Sequence, residues 1–436
     1  MPQQFSLKSL WFMGGLLAAA GAATWLDGAT FRSANPLESR VDVHAPLYAL
    51  AGQRSLTWRE RQAAEVAWTF LETQTQPDTG WVNSVSDFPS STLWDQGSYV
   101  MALVSAVKLG VIDRTEFDHR AALFLASLAK IELIDGNLPN KVYNTRTLQM
   151  TNYEDRLTPD GIGWSALDIA RLLLALRILE RFDPTLGPII QHTLQDWDLA
   201  SVASNGELVG SSPRDGGLVL LQEGRIGYEQ YGARAAAMWG LDVSQAVSAR
   251  RVLTWRTISK TDVPVDARSA ARYQTINPTS SEPYVLMGLE MGFDAESRAL
   301  AERVLAAQEQ RFNTTDQMTI VSEDHLDMAP FFAYASVFSN GQTWAVVDAQ
   351  GGHHPDMRTQ STKASFGWDA LYDTDFTNWA VNRVSGLANP AKGWYAGIYE
   401  RTGGRNTALA LNTNAVILTA LHYREFGPLW NIHGSR

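Results

Sequence analysis

Apolar positions recur at helical spacing through most of the chain, and two kinds of amphipathic pattern alternate. Residues 58–74, 113–130, 185–197 and 294–312 carry many charges and one apolar stripe, the pattern of helices half in water. Residues 94–109, 165–182, 231–241, 282–292, 330–338 and 412–423 are rich in Ala, Gly and Leu with few charges beyond the first turn, as expected of helices packed on both faces. Outer and inner helices in sequence, joined by short connections, predict antiparallel hairpins closing into a ring: an all-α, (α/α)6-type toroid. No fixed-period repeat accompanies the alternation, which favours a closed barrel with irregular loops over a regular solenoid. Between 202 and 228, and again at 251–258, short apolar runs alternate with turns, predicting small β-hairpin insertions at the mouth.

The stretch TPDGIGWSALDIAR, residues 158–171, shows how an inner helix opens. Pro159, Gly161 and Gly163 break any preceding helix and leave Asp160 on an irregular turn. Ser165 with Asp168 three residues later fits a capping box, and Arg171 lies one turn on, so Asp168 reads as a cap or helix-surface ion pair. Asp95, three residues after Thr92, has the same local explanation. The polar mouths of such buried helices are the parts that can meet a ligand.

Composition bounds the rest. A chain of 436 residues with 45% hydrophobic content and 15 Trp can bury a large core. A net charge of −10 and the lack of a basic run argue against a nucleic-acid partner and an anionic lipid surface. Cysteine is absent, which excludes disulfides, thiolate metal sites and a Cys nucleophile. Near the N-terminus, Lys8 precedes an apolar run from 10 to 23 that ends in small residues. Its length matches a signal-peptide core and falls short of the roughly 20 residues that span a bilayer. Residues 1–26 therefore read as a secretory signal or, uncleaved, an inner-membrane anchor; 27–56 as a linker; and 57–436 as the toroid domain. The location implied is periplasmic or secreted.

The mouths share one chemistry. Trp94 and Asp95; Asp160 and Trp164; Tyr228, Glu229 and Tyr231; Glu282 and Tyr284; Glu323 and Asp324; and Asn412 and Asn414 all open inner helices, and Trp368, Trp394 and Tyr395 extend the aromatic surface. Sugars stack their apolar faces on aromatic rings and offer hydroxyls to acids and amides, and glycosidic cleavage needs two carboxyls flanking one bond. Asp160, Glu282, Glu323 and Glu400 have no cap to explain them and are the candidate catalytic acids. Glu323 is the preferred general acid, because Asp324 is adjacent and an apolar run follows from 328 to 332. Lys363, in STKASFGW, is expected to grip a sugar hydroxyl or tune a carboxyl. His353, His354 and Asp356 lack a second ligand set, Asp373 and Asp375 are a weak calcium signal, and neither a nucleotide-binding loop nor a GxSxG elbow occurs. No metal or cofactor is implied.

Seven motifs in order, TLWDQGSY, TPDGIGWSALDIARLLLAL, EPYVLMGLEMG, VSEDHL, STKASFGWDAL, GWYAGIYE and NTNAVILTAL, resemble those of a bacterial envelope family, domain of unknown function 3131. The likeness runs from about residue 58 onward. It implies an (α/α) barrel similar to glucoamylase-like glycoside hydrolases, in proteins linked to exopolysaccharides, and supplies no reaction or catalytic residues.

A glycoside hydrolase acting on an envelope or extracellular polysaccharide is thus the leading expectation, with Glu323 or Glu400 as acid and Asp160 or Glu282 activating water or orienting substrate. Two others stay open. A polysaccharide lyase would draft Tyr143, His325 and Arg358, although acid-rich mouths repel a polyuronate. A non-catalytic glycan-binding or export scaffold needs only aromatics and amides.

Overall fold

The computed structural model describes residues 46–214, 217–273 and 275–432. The expected signal or anchor, and the linker up to residue 45, lie outside the described residues. The end of that linker is fastened to the body: Leu47 N donates to Glu302 at 2.7 Å and the Tyr48 hydroxyl to Glu309 at 2.5 Å.

Eleven helices of five residues or more carry the described structure, beside a single helical turn at Ala270–Tyr273: α1 Trp58–Gln74, α2 Leu93–Leu109, α3 Arg114–Leu128, α4 Ala166–Phe182, α5 Gly187–Leu194, α6 Tyr228–Ala237, α7 Glu282–Leu286, α8 Ala295–Thr315, α9 Thr362–Tyr372, α10 Asp375–Val384 and α11 Leu411–Phe426. The protein is helix-rich, at 46% helical. Six of these are inner helices: α2 packs on α4, α4 on α6, α6 on α7, α7 on α9, α9 on α11, and α11 back on α2. Their sequences permit this because nearly every side chain is apolar or small; α11 is buried from Leu411 to Arg424. The outer helices show one buried stripe, as in α1, where Ala63, Ala64, Ala67, Trp68, Phe70 and Leu71 face inward. Each large apolar side chain so buried contributes roughly 1.5–3 kcal/mol.

Three departures from the periodicity matter. Residues 330–338, expected as an inner helix, hold instead the strand β6. The strands that bear on the site are β1 Glu207–Arg214, β2 Gly217–Gln222, β3 Leu253–Ile258, β4 Thr261–Asp266, β5 Glu323–His325, β6 Phe332–Ala335, β7 Val346–Val347, β8 Thr359–Ser361, β9 Gly393–Tyr399 and β10 Arg405–Leu409. In β6 the small Ala333 and Ala335 alternate with Phe332 and Tyr334, a period of two that the Ala content disguised. The fifth inner helix is α9, followed by α10; both begin behind polar residues that hid their periodicity, yet every residue of α9 is buried. Between α6 and α7 the only α-helical element among the described residues is the single turn Ala270–Tyr273, and the hairpin β3–β4 packs on α8 where an outer helix would stand. The hairpin β1–β2 falls where expected.

Candidate active site

First turns of five inner helices open on one cavity of about 260 Å³: Trp94 and Asp95 of α2, Leu167 and Asp168 of α4, Tyr228 of α6, Lys363 of α9, and Asn412 and Thr413 of α11 line it. Glu282, in the first turn of α7, lies against them, accepting from Asn412 Nδ2 at 2.6 Å and pairing with Lys363 at 2.7 Å. Helix N-termini carry partial positive charge, so this convergence favours a site rich in carboxyls.

One wall is the β5–β6 pair, in which Glu323 lies opposite Tyr334 and His325 opposite Phe332. The Tyr228 hydroxyl donates to Glu323 Oε2 at 2.5 Å. Burial first, then the Glu282 carboxylate, pushes the Glu323 pKa up to about 7, against the pull of Lys363. Asp324 is also pushed up to about 7 by burial, although Ser361 and Thr359 hydroxyls donate to its two oxygens. Burial moves His325 the other way, down to about 3, so its imidazole is neutral. Burial lowers the Lys363 pKa, but Glu282, Asp324 and Glu323 together outweigh it and keep the ammonium charged.

The other wall is the N-terminus of α4. Gly163 sits at φ +89°, and a Cβ there would lie 2.2 Å from the Ser211 carbonyl oxygen, so only glycine lets β1 lie against this turn. Trp164 N donates to Ser211 Oγ at 2.9 Å and Ser211 N to Trp164 O at 2.9 Å, closing the joint. Glu223, just past β2, receives Ser165 Oγ and Ala166 N, both at 2.6 Å, and so satisfies the helix's open donors. Asp168 lines the cavity beside it, and burial followed by the Glu223 charge raises its pKa well above the usual carboxylate range. Lys141 Nζ is buried nearby with one hydrogen bond, 3.3 Å to Ser212 Oγ.

Beneath the floor a polar chain follows the inner helices. Ser98 Oγ donates to Asn412 Oδ1 and accepts from Arg171 Nε, and Arg171 forks onto Glu290 at 2.9 and 3.1 Å, both side chains being 1% exposed. Glu290 sits on a π-helical turn, Met287–Met291, that continues α7. Arg171 also lies 4.6 Å from the Trp94 ring centre, bracing it from below.

Of the residues expected at the site, Glu323, Trp94, Asp95, Lys363 and Asn412 line the cavity, and Glu282 contacts two of them, Asn412 and Lys363. The others are placed elsewhere. Asp160 is exposed on its turn. Glu400 is bound by Arg311 at 2.6 and 2.7 Å and Arg358 at 3.0 Å, and those hydrogen bonds overcome burial and hold its pKa below normal. Glu229 pairs with Arg268, and Tyr231 bonds Arg171 and Glu290. Trp164, Tyr284, Trp368 and Trp394 are core; the three indole N–H groups donate to Val209 O, Ser281 Oγ and Ala63 O. Tyr395 accepts from Asn389, and Asn414 from Trp394 N, away from the cavity. The residues drafted for a lyase are dispersed: Tyr143 donates to Glu132 O and Arg358 holds Glu400, while His325 alone lines the cavity. Tyr228, expected at its mouth, lines the cavity as well, and Asp168, Glu223, Lys141, Tyr153, Arg225 and Tyr334 line it although sequence reasoning did not place them among the site residues. Asp168 was hidden by its local cap, which does form, since Asp168 N donates to Ser165 Oγ; the expected ion pair does not, because Arg171 turns to Glu290.

This helix-rich protein, in which five inner helices open on an acid-lined cavity, is similar in fold to several solved structures. An endo-β-1,2-glucanase from Chitinophaga pinensis, in complex with sophorotriose and glucose, matches with a TM-score of 0.60 and 12% identity over 86% of this chain and 94% of that one. A protein described as a candidate glucoamylase from Bacteroides caccae gives 0.60 and 11% over 85% and 94%. A cellobiose 2-epimerase from Bacillus thermoamylovorans gives 0.51 and 9% over 84% and 99%. At these identities the likeness is one of fold, and the epimerase shows that the fold hosts more than hydrolysis. No curated protein matches the chain. The chain belongs to the family described as "Protein of unknown function (DUF3131)", whose sequence profile matches residues 62–427.

Proposed function

We propose that this protein is a glycoside hydrolase, built as an (α/α)6 toroid, that cleaves a bacterial envelope or extracellular polysaccharide with Glu323 as general acid. The observation that carries the reading is Glu323 itself: a carboxyl in the cavity wall whose pKa of about 7 keeps a proton available near neutral pH. The closed order of inner helices supports the toroid. Trp94, half-buried in the wall and backed by Arg171, supports a stacking surface for a sugar ring, and Asn412, Lys363 and Asp95 offer partners for hydroxyls. The endo-β-1,2-glucanase and candidate glucoamylase on the same fold favour a glucan as the first substrate to try. The apolar run after Lys8 favours export, by a cleaved signal or an inner-membrane tether.

A glycan-binding scaffold would have no use for a buried carboxyl that keeps its proton. Product analysis after incubation with β-1,2-glucan and a panel of bacterial glucans and exopolysaccharides decides between the two. The hydrolase releases shorter saccharides; binding to the panel with no product would favour the scaffold.

A further inference from the structure

The acid-lined cavity has a neighbour. Tyr273, Thr275, Ile276 and Pro278 line the first, while Thr275, Ile276 and Asn277 line a second cavity of about 940 Å³, so one strip of chain forms a shared rim. The two differ in size and in chemistry. At about 260 Å³ the first falls below the roughly 300–1,000 Å³ of sites that enclose a drug-sized ligand, and the second lies near the top of that range. Asp266 is the one carboxylate on the lining of the second, and it is spent: Arg268 grips its two oxygens at 2.6 and 2.9 Å, and Ile226 N donates to it at 2.9 Å. Free donors stand there instead. Arg256, exposed on β3, makes no ion pair among the described residues, and the exposed Gln350 side chain makes no hydrogen bond among them. Asn340 accepts on Oδ1 from Asn277 N at 3.4 Å and from the Ser339 hydroxyl at 3.2 Å, which leaves its Nδ2 hydrogens for a ligand. The half-buried Phe338 adds an apolar face to the same lining.

We infer that the second cavity is a glycan-binding site, which holds the part of a polysaccharide chain that lies beyond the sugars at the acids. The inference takes its ligand class from the glycoside hydrolase reading and extends the substrate past the small first cavity. Sugar hydroxyl and ring oxygens accept hydrogen bonds, which Arg256, Asn340 and Gln350 supply, and the apolar face of a sugar ring packs on Phe338. A chain that leaves the first cavity over Thr275 and Ile276 enters the second directly, because both residues belong to both linings. Glycosidic cleavage needs a pair of carboxyls, and the second cavity offers only the one that Arg268 occupies, so a chain is held there and not cut. Its contacts add to those made around Glu323, and affinity therefore grows with chain length until the second cavity is filled.

The test is calorimetric titration of Glu323→Gln protein, which should leave the chain whole, with β-1,2-glucan from the disaccharide to long polymer and with the same panel of glycans. Two changes are made to the second cavity in that background. One is the pair Arg256→Ala and Gln350→Ala, at exposed side chains without protein partners; the other is Ala271→Trp, which puts bulk into the cavity from an exposed position of the Ala270–Tyr273 turn. The long chain is expected to bind at least about tenfold more tightly than the disaccharide, and either change to cost about tenfold on the long chain and no more than about twofold on the disaccharide, at unchanged melting temperature. In the active enzyme the same changes should raise KM for long chains. Equal losses on short and long chains, no loss on either, or affinity that stops growing at the disaccharide would overturn the site. Wild-type protein that binds long glycan through this cavity but releases no product sinks the hydrolase reading and leaves the site standing. Wild-type protein that cuts long chains no better than the altered ones sinks the site and leaves the hydrolase, and protein that binds no glycan in the panel sinks both.

Discussion

Glu323 and Glu400 look alike along the chain: each follows a short apolar run, and each lies close to aromatic residues. In space they are opposites. Glu400 receives two guanidinium groups, Arg311 and Arg358, which hold it ionised. Glu323 receives one phenol, with Glu282 and Asp324 as neighbours and Lys363 already paired to Glu282, so its proton stays on to about pH 7. The same functional group becomes a brace in one place and an acid in the other. What decides between them, beside burial, is charge supplied from other elements: Arg311, 89 residues from Glu400, holds that carboxyl ionised, and Glu282, in the first turn of α7, raises the pKa of Glu323 on β5.

The largest effect that separates them is on turnover. Glu323→Gln keeps the shape and loses the proton, and should cut the rate about 10²–10⁴-fold while the melting temperature hardly moves. Wild-type activity should fall as pH rises through about 7, where the acid ionises. Glu400→Gln should do the reverse: activity within a fewfold of wild type and a stability loss of about 1–3 kcal/mol at neutral pH, because two partly buried arginines lose their counter-charge. The folded pKa of Glu400 is depressed, so its stabilising contribution is full above the unfolded value of about 4.3 and disappears as pH falls through the folded one. Denaturation of the two variants at pH 7 and pH 3 checks the sign. An inactive Glu400→Gln with normal stability would dissolve the comparison.

This contrast also marks what the chain makes legible. Five of the inner helices and the four outer ones expected at 58–74, 113–130, 185–197 and 294–312 follow from apolar spacing, because that spacing records burial directly. Position 330–338 does not: Ala333 and Ala335 are small enough for either a helix or a strand, and the pairing of Glu323 with Tyr334 settled it. The Ser165 cap of Asp168 is legible from local spacing, but that cap uses the Asp168 backbone N–H, and the carboxyl itself lines the cavity. It also could not see the arginines of Glu400, which come from α8 and the approach to β8. Glu323 was legible because its perturbing neighbour, Asp324, and the aromatic strand are near in sequence.

A second pair sharpens the comparison for aromatic residues. Trp394 is 4% exposed, in edge contact with Phe366 at 5.1 Å between ring centres, and donates its indole N–H to Ala63 O. Trp94 is half-buried in the cavity wall, its ring 5.7 Å from that of Tyr231. Trp394→Ala should therefore cost about 3–5 kcal/mol of stability through the cavity it leaves. Trp94→Ala should weaken glycan affinity by about 1 kcal/mol, roughly fivefold. Chemical denaturation with binding titration on both variants reads the two quantities. Equal loss of affinity in both would mean that Trp394 also serves the ligand, against its placement.

The smallest effect is the most informative about the turn at 158–163. Asp160 is the acid that the turn displays, and it is exposed. The turn is held by other groups: Gly161 N donates to Thr158 O at 2.8 Å, Ile162 N to the Asn140 side chain at 2.7 Å, and Lys141 N to Gly163 O at 3.0 Å. No carboxylate oxygen of Asp160 is needed for any of these, and the close approach to β1 depends on the missing side chain of Gly163. Asp160→Asn should consequently change stability by no more than about 0.5 kcal/mol and leave turnover and its pH profile unaltered. A tenfold loss of turnover in a stable Asp160→Asn protein would show that this turn folds over the substrate and brings an exposed acid to the bond. The carboxyls of the cavity wall would then be incomplete without Asp160, and the two acids that glycosidic cleavage needs would have to be sought across this turn as well.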